Sequence, residues 1–164
     1  MEQNSKEEKK RHIPAFAVML IVAVFALLIG IILPPVIKNK ENKRIASDCK
    51  TASAILSATE EALADTNVSQ QVISAGYATL TWTASGSNGV ITCTNGITDL
   101  QDKVTALSGN ISRKSKTLGT AVWTVTVYPD ANSSSGFTVN GAWSGAIGVD
   151  DTDMTKKSGG TIIE

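Results

Sequence analysis

Histidine is nearly missing from this 164-residue chain: His12 is the one copy, and it lies in a polar stretch just before an apolar run. A Ser-His or Cys-His nucleophilic pair in the C-terminal half is thereby excluded, because no imidazole is there to accept the proton. Cysteine is scarce too. Cys49 and Cys93 are the two copies, and without a second histidine they cannot complete a four-ligand zinc site unless several carboxylates join them. No Gly-Lys-Ser/Thr phosphate loop occurs, and Gly86-Ser87-Asn88-Gly89 reads as a hairpin turn. The expectation is a protein that is not an enzyme, with no catalytic residues, no metal and no cofactor.

Charge is absent from Ile13 to Ile37, and this is the most informative gap in the sequence. A membrane span needs roughly 20 apolar residues, so the run is long enough to cross. It lacks the short core and small-residue cleavage site of a secretory signal. Charge returns strongly from Lys38 to Arg44. Apolar residues then recur at helical spacing, at Ile45, Cys49, Ala52, Leu56 and Leu63. One long N-terminal helix is therefore expected, starting near Pro14, where a first-turn proline loses no hydrogen bond, and ending at Asp65-Thr66-Asn67. Pro34 and Pro35 should kink it.

The formal net charge of zero hides a split. Residues 1–50 hold nine Lys/Arg against five Asp/Glu, whereas residues 51–164 hold six against ten. Basic residues around an apolar run suit membrane lipid, and the mildly acidic remainder gives no reason to expect nucleic acid. Lysines flank the run on both sides, so charge alone does not orient it. The Ser-, Thr-, Gly- and Asn-rich composition after Asp65 favours a single-pass protein in the cell membrane with its C-terminal domain outside the cytoplasm.

Past the helix, Tyr77 to Thr83, Val90 to Thr94, Ala121 to Tyr128 and Phe137 to Trp143 alternate large apolar with small polar residues, as strands do. Ile97, Leu100, Val104 and Leu107 predict a short surface helix over 97–107. The fold class is α+β: a long N-terminal helix, membrane-inserted below and amphipathic above, packed on a small antiparallel sheet. Its segments are a polar basic leader (1–15), a transmembrane or assembly half-helix (16–37), an amphipathic half-helix (38–65) and an extracytoplasmic β-rich head (66–164).

Other clusters have ordinary readings beside functional ones. Trp82, Trp123 and Trp143 each fall in a candidate strand and read as sheet packing rather than a ligand platform. Asp150, Asp151 and Asp153 read as a solvated acidic turn rather than a calcium loop, because the EF-hand spacing and glycine are missing. Cys49 and Cys93 are either a disulfide across the helix–sheet interface or two free, buried thiols.

The run Phe16-Ala-Val-Met-Leu-Ile-Val-Ala-Val-Phe-Ala-Leu-Leu-Ile-Gly-Ile-Ile-Leu-Pro34, with its opening phenylalanine, late Gly30 and closing proline, resembles the N-terminal segment of type IV pilins and pseudopilins. The likeness covers roughly residues 1–65. It implies a bacterial cell-surface or secretion filament subunit, with membrane lipid, copies of itself or related pilin-like subunits as partners. Prepilin peptidase and pilus assembly machinery join these if the leader is cut, which the resemblance places at Ala15-Phe16. Assembly contacts would come from Ala17, Val18, Leu20, Ile21, Val24, Leu27, Leu28, Ile31 and Ile32. Two positions depart from the family: Ala15 stands where a glycine precedes the cut, and Leu20 where the fifth mature residue is glutamate. The other reading is an unprocessed, signal-anchored surface protein whose β domain binds or displays.

Overall fold

A computed structural model of the chain describes residues 15–85, 88–115, 118, 120–146 and 149–160; between residues 15 and 36, side chains are described for Met19 and Ala23 alone. The chain divides into two compact units, Met1–Asn39 and Lys40–Glu164. The first helix, α1, runs Ala15–Ala62 and has residues in both.

Within the second unit, α1 buries one face at 3.6-residue spacing: Cys49, Ala52, Ile55, Ala58, Thr59 and Ala62. Three of these are alanines, so large side chains from the facing sheet can approach the helix closely. The chain then turns at Leu63–Asp65 into α2 (Thr66–Ala75). The expected stop is therefore also a start. Asp65 lies in extended conformation and accepts hydrogen bonds from the backbone N–H of Asn67 (2.8 Å) and Val68 (3.3 Å), capping α2. Gly76, in the left-handed region at φ 79°, ends it.

Four strands follow: β1 (Ala78–Ser85), β2 (Asn88–Cys93), β3 (Val122–Pro129) and β4 (Phe137–Ser144). They form one antiparallel sheet in the order β2-β1-β3-β4. Each expected strand is present within two residues of its expected ends. Between β2 and β3 lies α3 (Thr98–Ser108), whose Leu100 and Val104 are buried, in agreement with the spacing in the sequence. α4 (Asp151–Lys157) lies beyond β4. The expected fold class of a long N-terminal helix with a small antiparallel sheet holds in this form.

Alternation gives the sheet two unlike faces. Leu80, Trp82, Ile91, Trp123, Val125, Val127 and Trp143 point inward to one core with α1, α2 and α3. Close packing is visible at Gly141, where an added Cβ would lie 2.4 Å from the Trp123 ring and 3.3 Å from Leu56. Both edges are partly occupied. The Cys93 N–H donates to Gln101 Oε1 (2.9 Å) at the β2 side, and the Trp143 N–H donates to Thr155 Oγ1 (2.9 Å) at the β4 side.

The membrane placement is corrected. Among the described residues no helix is long and apolar enough to cross a membrane, so a single-pass protein with its C-terminal domain outside the cytoplasm is not supported. The physical reason lies in the described part of α1, which from Ile37 runs straight into Lys38, Lys40, Glu41, Lys43 and Arg44. The side chains of Ala15, Phe16, the nine assembly residues, Pro34 and Pro35 lie outside those described, as do residues 1–14 altogether.

Candidate functional site

Beside its apolar face, α1 meets the rest of the second unit through a buried ion pair. Asp48 lies on α1 with no solvent exposure, although every charged neighbour from Lys38 to Arg44 is at least partly exposed. Its carboxylate accepts two backbone hydrogen bonds from the segment before β3, from Lys114 N–H at Oδ1 (2.9 Å) and Ser115 N–H at Oδ2 (2.9 Å). Arg113 Nε approaches Oδ2 at 3.9 Å, which makes an ion pair but no hydrogen bond. Glu41, one stretch earlier on the helix, binds the Ser115 hydroxyl as well.

Arg113 is 6% exposed, and its surroundings explain how a buried guanidinium is tolerated. Two donors go to backbone carbonyls, Nη1 to Ala121 (2.9 Å) and Nη2 to Leu118 (2.5 Å). Its planar face lies against two indoles, with the guanidinium carbon 4.8 Å from the Trp82 ring centroid and 5.1 Å from that of Trp143. Trp143 in turn packs on Trp123 at 5.5 Å between centroids. Burial lowers the Arg113 pKa below its usual value, and the Asp48 carboxylate offsets part of that fall.

The indoles are themselves anchored. Trp82 Nε1 donates to the Ile111 carbonyl (3.0 Å), and Trp143 Nε1 to the Ser158 hydroxyl (2.9 Å) just past α4. Glycine is required at position 89, beside the Trp82 indole, because a Cβ there would sit 1.9 Å from the Ile111 oxygen and 2.2 Å from Trp82 Nε1. Among the described residues, Arg113 Nε and Trp123 Nε1 are buried side-chain donors without a hydrogen-bond partner. The cluster joins α1, β1, β3, β4 and the end of α4 in one place. Asp48 and Arg113 are both buried there, so the opposite charges face each other away from solvent.

Residues singled out from the sequence are dispersed around it. All three tryptophans are core, and two of them form the cage of Arg113. Cys49 and Cys93 do not bond: both thiols are free. Cys49 faces α4 with its Sγ 3.9 Å from the Met154 carbonyl, while Cys93 ends β2 beside Thr94. Burial raises both thiol pKa values above the usual range. The acidic cluster is no loose turn. Asp150 caps α4 through the Thr152 N–H (2.8 Å), Asp151 accepts from the N–H groups of Gly145 and Ala146, and Asp153 pairs with Lys157 (2.6 Å).

Sequence reasoning missed Asp48 and Arg113. The available signal was an isolated aspartate among apolar helix positions, flanked by Ile45 on one side and Ala52 on the other. No protein-family model, curated protein or solved structure matches this chain.

Proposed function

We propose that the chain is a structural, pilin-like filament subunit that assembles with copies of itself or related subunits through the apolar half of α1, with the α+β unit as its outward head. The supporting observation is the unequal division of one helix. From Cys49 to Ala62 the head uses α1 as its own core rod. The charge-free run, Ile13 to Ile37, falls in the other unit and carries no polar face to leave in water. A helix apolar on every side is buried by something, and parallel packing against the same helix in other subunits satisfies the whole run at once. The Asp48–Arg113 pair then has a use: it ties the part of α1 within the second unit to the rest of that unit.

The test is assembly of the full chain on dilution from detergent, read by sedimentation and negative-stain electron microscopy. Wild type is expected to form filaments. Leu27→Lys, which puts an unpaired charge in the helix contact, is expected to stay dispersed with an intact head. Normal filaments from Leu27→Lys would reject the packing mechanism. Intact-mass measurement of the chain from its native cell tests processing: loss of residues 1–15 supports a processed subunit, and an intact N terminus favours the unprocessed reading.

A further inference from the structure

The outward face of the sheet is not used by the core, the Arg113 cluster or the helix proposed for assembly. The four strands contain no Asp, Glu, Lys or Arg at any position. For a surface sheet this is unusual, since roughly a quarter to a third of a soluble surface is ordinarily charged. Threonine stands where charge would. Thr79, Thr81 and Thr83 line one central strand, and Thr124 and Thr126 the other, with Thr79 opposite Thr126 and Thr81 opposite Thr124. Among the described residues these five hydroxyls make no hydrogen bond within the chain, whereas those of Thr92 and Thr138 do. Hydroxyls and methyls therefore repeat at about 4.8 Å across strands and about 6.8 Å along them.

One end of this face carries the two tyrosines of the chain. Tyr77 and Tyr128 sit beside each other with ring centroids 6.3 Å apart, and both remain half-exposed, at 44% and 47%. Asn95, held at φ 66°, donates through Nδ2 to the Tyr77 carbonyl (3.1 Å) and also lines a polar groove with Asn67, Gln70 and Gln71.

The geometry points to a binding face for a neutral polysaccharide chain. Nucleic acid and anionic lipid are disfavoured because the four strands carry no cation to meet a phosphate. A protein partner is disfavoured because interface hot spots are enriched in Trp, Tyr and Arg, and apart from the two tyrosines at one end this face is built largely of threonine, which is under-represented among them. A flat strip of groups that both donate and accept hydrogen bonds suits a ligand made of hydroxyls. Adjacent aromatic rings suit the apolar C–H face of a sugar.

The test is electrophoresis of the full chain, kept dispersed in detergent, through non-denaturing gels containing starch, mannan or xyloglucan, with heparin as the anionic control. The expected result is retardation by at least one neutral polysaccharide and none by heparin. Tyr77→Ala and Tyr128→Ala, both at exposed positions, should each weaken retardation about fivefold. Thr81→Lys should abolish it, and Thr81→Val, which keeps the shape and removes the hydroxyl, should weaken it with unchanged tryptophan emission. Unaltered mobility in all three neutral gels overturns the proposal. So does retardation that survives the combined Tyr77→Ala/Tyr128→Ala change, or a Thr81→Lys variant that alters self-association in the centrifuge and leaves gel mobility unaffected. Filament assembly is read separately by sedimentation, so the two proposals fail independently.

Discussion

Replacing Asp48 by alanine tests the buried ion pair most directly. The change removes the acceptor of two backbone hydrogen bonds and leaves Arg113 buried between Trp82 and Trp143 without its counter-ion. Each charge-assisted hydrogen bond contributes about 1.5–3 kcal/mol, and breaking one partner of a buried ion pair costs about 3–5 kcal/mol in all. Against a total stability of about 5–15 kcal/mol, about a fifth or more of the fold's margin would go. The midpoint of thermal unfolding should fall on the order of 10–20 °C. Urea unfolding of the full chain followed by tryptophan emission is the assay, since all three indoles lie in the core. Asp48→Ala, Arg113→Met and the combined variant form a cycle. Removing both charges leaves no orphaned ion, so the double variant should be more stable than Asp48→Ala alone, with a coupling of about 1–3 kcal/mol. A loss below about 1 kcal/mol for Asp48→Ala, or strict additivity in the cycle, would refute the reasoning.

Three further outcomes are expected. Gly141→Ala should destabilise by about 1–3 kcal/mol in the same urea assay, because its Cβ would press 2.4 Å from the Trp123 ring; a neutral result would mean the interface is looser than its geometry. The Lys103 ammonium and then the backbone N–H groups of Val68 and Asn67 hold the Asp65 pKa below the usual carboxylate range. Its contribution is therefore complete above about pH 4, the unfolded value, and is lost as pH falls through the lower folded one. Amide exchange in α2 should accelerate over that acid interval, and Asp65→Asn should remove the pH dependence. Both thiols have raised pKa values from burial, so iodoacetamide should modify Cys49 and Cys93 far more slowly in the folded chain than in urea at the same pH, and Cys49, the more buried, should be the slower of the two.

Local pattern was enough for much of the architecture. Strict alternation of Val, Thr and Trp in 122–127 carries a strand signal that neighbouring turns do not contradict, and Leu100 and Val104 at helical spacing mark α3. Asp65 shows the limit, because the same carboxylate that ends one helical pattern caps the next, and a short turn hides the boundary. The acidic run at Asp150–Asp153 keeps Asp150 and Asp153 exposed, as expected, but its bonding was not legible. Its side chains bond backbone groups of α4 and of the segment after β4, which are invisible until that segment folds back.

By itself the sequence determined the inventory. A chain with one histidine, at position 12, no charge from Ile13 to Ile37 and four alternating segments after Asp65 carries the pattern of a long helix followed by a small sheet. Those properties follow from composition and period, which no tertiary arrangement alters. Only the tertiary structure decided which residues met. Asp48 and Arg113 pair because α1 and the approach to β3 pack together around Trp82 and Trp143, and Cys49 and Cys93 stay apart because one faces α4 and the other ends an edge strand. Burial turns a surface-type aspartate into the centre of the head. That depends on long-range packing, which spacing along the chain does not encode.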